Sequence, residues 1–180
     1  MTLTEIEYDA FLGAHLGLLY YVGQQGRLIS GNKSYDKFLN LSTQDKFKCR
    51  EFLHRNWKLL DDYIAANSDR LTSEEITILS GFKKSISSKF VILKCLTKHA
   101  IFIDTKDNKF YAVKALGNPF DDLIDRIPAL IEATLLPFSN HIVYDGFIKV
   151  TNVFLGPGII STLNEEYKKA NKQNQILTKF

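Results

Sequence analysis

Two cysteines, Cys49 and Cys95, are too few for a disulfide framework. With no secretory signal ahead of them, the expected compartment is reducing and the expected location is the cytoplasm. The first 26 residues hold Glu5, Glu7 and Asp9 but no lysine or arginine, which is the wrong charge for the start of a signal peptide. Long apolar runs are missing as well. Phe11 to Val22 is interrupted by Gly13, His15 and Gly17 and falls short of the ~20 residues that span a bilayer. Histidine is sparse, and His15, His54, His99 and His141 show no metal-ligand spacing. A Walker lysine, a Gly-x-Ser-x-Gly elbow and a His-Glu-x-x-His helix are all lacking. The sequence therefore leads us to expect no catalytic residues, no metal and no cofactor. A triad assembled from residues remote in sequence would leave no such motif.

What is present is an ordinary globular composition, 45% hydrophobic and 24% charged, enough to bury a sizeable core. Charge is unevenly spread. Residues 83–114 contain eight lysines against Asp104 and Asp107, so this block alone could attract a polyanion. Lys94, Lys98 and Lys114 are its candidate contacts. Arginine, which supplies bidentate phosphate and base recognition, is absent from the block. On simple alternation Lys94 shares a strand face with Phe90 and Ile92, while Lys89 falls with Val91 and Leu93. The lysines then line no single stripe, and edge lysines also serve to discourage aggregation.

The chain divides by period. Residues 1–70 are expected to be helical and 71–180 to form an α+β module, the two together making one compact unit. Thr2-x-x-Glu5 has capping-box spacing, followed by Tyr8, Leu12, His15, Leu19 and Val22 at helical intervals. Gly23, Gly26 and Gly31 break the pattern. Ser42 is placed to cap a second helix that buries Cys49, Leu53, Trp57, Leu60 and Ile64, and Thr72 with Glu75 to cap a third. From Ser88 the run is extended: five segments rich in β-branched and aromatic residues, joined by short polar links. Asp121 to Ile124 suits one helical turn, and a last helix begins near Gly158. The fold class expected is α+β: N-terminal helices, a mostly antiparallel sheet of about five strands that could curl into a small barrel, and a C-terminal helix.

Four stretches, "LTSEEI", "KFVILKCLTKHAIFID", "IEATLLPFSNHIVYDGFI" and "FLGPGIISTLNEEYKKA", carry a resemblance. Residues 71–180 look like a bacterial family without an assigned activity, whose members show a third glycine where this chain has Pro157. The resemblance implies one recurring α+β module, and no activity, cofactor or site residue comes with it.

Two features invite a chemical reading. Asp145-Gly146 between apolar arms suits a type I′ hairpin turn. It also suits one long strand with a glycine bulge, and the four-residue strand that a turn would leave favours the bulge. Four extended residues separate His141 from Asp145 by ~13 Å, which excludes a hydrogen-bonded dyad. Gly156-Pro157-Gly158 leads into a helix N-terminus, where free N–H groups could hold an anion through Gly156 and Gly158. A plain strand-to-helix turn accounts for the same residues. The functional expectation is a non-enzymatic binding or regulatory module of a bacterial cytoplasmic system, meeting a protein partner or a second copy of itself. The alternative is a nucleic-acid-binding protein using residues 83–114. Neither reading involves a membrane.

Overall fold

The computed structural model describes residues 2–29 and 34–180, so Gly31 lies outside the described residues. The chain forms two compact units: Asp9–Lys83, and Lys84–Phe180 together with the N-terminal residues as far as Tyr8.

The first unit is helical. Its elements are α1 (Glu5–Gln25, whose first turn belongs to the other unit), α2 (Tyr35–Leu39), α3 (Thr43–Arg55), α4 (Lys58–Ala66) and α5 (Ser73–Gly81). The capping box of α1 is Thr4 with Glu7, not Thr2 with Glu5. The Thr4 N–H donates to Glu7 Oε2 at 2.9 Å and the Glu7 N–H donates to Thr4 Oγ1 at 3.3 Å. Both spacings satisfy the motif, and the Glu7 carboxylate is the one that reaches back. Ser42 and Thr72 cap α3 and α5 as expected, the latter in a complete capping box. The single helix expected after Ser42 is two. Asn56 adopts φ −141°, and its side chain donates to the Phe52 carbonyl at 2.9 Å, which ends α3 there. Trp57 consequently opens α4, half-buried and stacked on His54 at 5.1 Å, not sealed in a core. Phe11, His15 and Phe82 form a buried aromatic cluster with centroid separations of 5.3–5.8 Å.

The second unit carries six strands: β1 (Ile86–Cys95), β2 (Ala100–Asp104), β3 (Phe110–Lys114), β4 (Ala129–Phe138), β5 (His141–Val150) and β6 (Ile176–Leu177). It also carries α6 (Phe120–Leu123) between β3 and β4 and α7 (Pro157–Lys172) after β5. The sheet is mixed, which corrects the antiparallel expectation. β1 pairs antiparallel with β2 and β4, β2 with β3, and β4 with β5, whereas β3 runs parallel to β5 and to β6. The cause is the crossover through α6. It returns the chain beside β1, so the β4–β5 hairpin delivers β5 to the open side of β3 running in the same direction. Pairing thus passes from β1 through β2, β3, β5 and β4 back to β1. The C-terminal β6 occupies β3 at Phe110 and Tyr111, before the point where β5 takes over at Val113.

Both faces of β2 are buried, which is why its sequence AIFID is almost continuously apolar. One face carries rings in mutual contact: Phe90 with Phe102 and Tyr111, Phe102 with Phe120, and Phe120 with Tyr144. The other face presents Val91, Leu93, Ile101, Ile103 and Phe110 to Leu163, Tyr167 and Ala170 of α7. Register breaks between Ile92 and Lys94, where Leu93 is the extra residue. This bulge moves Lys94 off the Phe90–Ile92 face expected from alternation and places its ammonium 4.5 Å above the Tyr167 ring.

A second bulge settles the Asp145-Gly146 question. Ala133 pairs with Ile148 but Leu135 pairs with Tyr144, so Asp145, Gly146 and Phe147 stand opposite Thr134 alone within one strand. Gly146 adopts φ +86°, and the buried Asp145 accepts the Phe147 N–H at 3.1 Å to close the kink.

Candidate binding groove

The sequence-expected contacts fall into separate settings. Lys94 lies against α7 as described. Lys98 is exposed in the β1–β2 turn, which the Leu96 N–H closes onto the His99 carbonyl at 2.8 Å. Lys114, at the end of β3, lies 3.1 Å from His141 Nε2, and Glu7 Oε1 is 3.9 Å from the same nitrogen. Burial and the neighbouring Lys114 lower the His141 pKa, so the ring is neutral at pH 7. Other lysines of the block meet acids: Lys83 with Asp61 at 2.7 Å, Lys109 with Asp107 at 2.7 Å, and Lys89 with Glu132 at 3.9 Å. Asp61 and Glu132, from outside the block, thus offset part of its excess positive charge.

Gly156 is the N-cap of α7 and Gly158 lies in its first turn. Gly156 has φ −67°, and a Cβ at either position would meet nothing within 4 Å. Neither backbone conformation nor space demands glycine at these positions. The hollow beside Gly158, about 520 Å³, is lined by Thr162 and Glu166, and the Glu166 carboxylate would oppose an anion there.

The nucleophile and metal candidates are likewise quiet. Burial raises both thiol pKa values, that of Cys49 to about 11, which suppresses thiolate reactivity. Desolvation holds His15 down to about 3 and His54 to about 4. Among the described residues no group of His, Cys, Asp and Glu could hold a metal ion. No helix among them is long and apolar enough to cross a membrane.

A groove forms instead where two connections pass each other. One is α6 and the turn after it. Phe120 anchors this helix by packing on Phe102 and Tyr144 at 5.1 and 5.3 Å, which fixes Ile124 inward and leaves Leu123 outward. The other is the β5–α7 linker. Thr151 pins its start, since both its N–H and its hydroxyl donate to the Leu130 carbonyl at 2.9 Å. The chain then leaves the sheet as coil to Gly156. Between the two lies a groove of about 540 Å³ walled by Ile124, Pro128, Leu155 and Ile160, within the size range of binding pockets, roughly 300–1,000 Å³. Its rim is apolar yet exposed: Phe154 at 66%, Val153 at 53%, Val150 at 45% and Leu123 at 43%. The Arg126 guanidinium sits 4.6 Å above the Phe154 ring.

From His141 to Leu155 the sequence reads as one continuous strand, and that reading passes over the site, because Thr151 to Leu155 leave the sheet as coil. The available signal was a β-prone run continuing past Asn152 into Gly-Pro-Gly, which leaves large apolar residues on a coil. Comparison with known protein families, with curated proteins and with solved structures gave no match.

Proposed function

We propose that the protein is a non-enzymatic binding module of a bacterial cytoplasmic system that acts through protein–protein contacts, with the groove as its contact surface. The observation that carries this reading is the cluster of exposed apolar side chains around the groove, above all Phe154. Covering the exposed two-thirds of a phenylalanine recovers roughly 3 kcal/mol at about 25 cal/mol per Å². A contiguous exposed apolar patch is the usual mark of an interaction site.

The strand circuit bears on where contact can occur, not on what is contacted. We take it as a small five-stranded barrel with the pairing order of oligonucleotide- and oligosaccharide-binding barrels, whose ligands lie on the face of the second and third strands. Here α7 packs on that face through Leu163, Tyr167 and Ala170, so contact with a partner is displaced to the groove. Fold analogy alone assigns no function. The nucleic-acid alternative draws on the same circuit, and salt-dependent binding tests it.

Placing a benzoylphenylalanine photo-crosslinker at position 154 in living cells tests the main reading. Discrete protein adducts that Val153→Asp abolishes are the expected result. Irradiation that yields no protein adduct overturns it.

A further inference from the structure

We infer that the groove receives an apolar peptide segment flanked by lysine or arginine, supplied by a partner protein. The inference rests on reading the groove as a protein-contact surface and adds the chemistry of what binds there.

Charge at the rim carries it. Residues 119–130 contain Asp121, Asp122 and Asp125 against Arg126 alone, a local excess of two negative charges in a chain whose net charge is +3. All three aspartates are exposed, Asp125 lines the groove, and Asp122 adjoins Leu123 on its rim. Among the described residues none of the three forms an ion pair. Two other surface acids of the same unit are paired, Asp107 with Lys109 and Glu132 with Lys149 at 3.2 Å, while Glu165 and Glu166 on α7 are not among the described ion pairs. Arg126, whose guanidinium lies over Phe154, is already counted in that excess of two.

The apolar surface fixes the rest of the partner's chemistry. Val153 and Phe154 project beyond the groove, whereas a small ligand would be largely enclosed by its pocket. A peptide can place side chains in the groove and still cover the rim. An anionic membrane or a nucleic acid would meet the aspartates with like charge. Basic flanks on an apolar segment satisfy both halves of the surface, with the charges contributing chiefly to encounter rate and discrimination.

The test selects a displayed library of random 12-residue peptides on the full-length protein and counter-selects on Phe154→Ser. Both proteins are first shown by circular dichroism to share one fold. We expect the Phe154-dependent peptides to combine large apolar residues with an excess of lysine or arginine. Their affinity should fall about tenfold or more between 50 and 500 mM salt. In the Asp122→Lys/Asp125→Lys variant, selection should turn toward Glu- and Asp-flanked peptides. Phe154-dependent peptides without a basic excess overturn this inference and leave the protein-contact reading standing. Failure to enrich any Phe154-dependent peptide overturns both. Self-association in sedimentation at 100 µM protein, abolished by Phe154→Ser, also overturns the inference, because a second copy would then be the occupant.

Discussion

Gly146 adopts φ +86° inside a strand, a region that L-residues occupy at a cost of roughly 1–2 kcal/mol. The space around it is ordinary, since an added Cβ would lie 3.6 Å from Leu116 Cδ1. Gly146→Ala should therefore lose about 1–2 kcal/mol through the backbone alone. Gly156→Ala, at φ −67° in open space, should lose only about 0.5 kcal/mol, from the poorer N-cap alone. Urea midpoints of the two variants check this, and equal losses would refute the strain argument. Trp57 shows how exposure alters a magnitude. Full burial would make Trp57→Ala cost roughly 3–5 kcal/mol. Half-buried against His54, it should cost about 1–2.5 kcal/mol in the same assay. The Asp145-Gly146 bulge was legible because residue type and strand length both bore on it. The place of Trp57 was not, because the break at Asn56 depends on a side chain taking the Phe52 carbonyl, and helical spacing is blind to that.

At the scale of elements, period and capping residues gave the helices and most strands their positions, since both act over a few neighbours. The parallel β3–β5 pairing, β6 and the groove depend on residues brought together from distant parts of the sequence, which local pattern does not encode. Bulges matter here too: one extra residue at Leu93 carries Lys94 to the α7 side. This decides the fate of the lysine block. With Lys94 above Tyr167, Lys114 beside His141 and Lys109 against Asp107, the lysines fall in separate settings and line no common track for a phosphate backbone. We expect no measurable binding to random-sequence DNA or RNA at physiological salt. Changing Lys94, Lys98 and Lys114 together to alanine should leave that result unchanged. Each real phosphate contact would instead contribute about 0.7–0.9 to the slope of log K against log salt. Micromolar wild-type affinity with a slope that the triple variant flattens would reverse this conclusion and favour the nucleic-acid reading.

For the whole molecule, the pH dependence of stability follows from its histidines. His15 is held down to about 3 and His54 to about 4, chiefly by desolvation, and His99 and His141 are lowered in the same way. An unfolded histidine titrates near 6.5, so below that pH the unfolded chain binds more protons than the folded one. The stability from keeping these rings neutral is complete above about 6.5 and is lost as the pH falls toward the folded values. The fully buried His15 ring contributes up to about 1.4 kcal/mol per pH unit within that window, and the more exposed rings contribute less. Glu7 and Asp107, lowered by the Thr4 N–H and by Lys109 respectively, add losses of the same sign below their ordinary carboxylate range. The two most depressed histidines both lie in Asp9–Lys83, so acid should open the helical unit first. Hydrogen exchange at pH 7 and pH 4.5 should show Phe11–Val22 and Thr43–Arg55 losing protection before Phe90–Ile103. His15→Leu should flatten the dependence of the melting midpoint on pH between 6.5 and 4.5, since by the lower pH the buried ring alone costs about 2–3 kcal/mol. A midpoint that holds constant across this range, or a sheet that opens before the helices, would contradict a neutral histidine core.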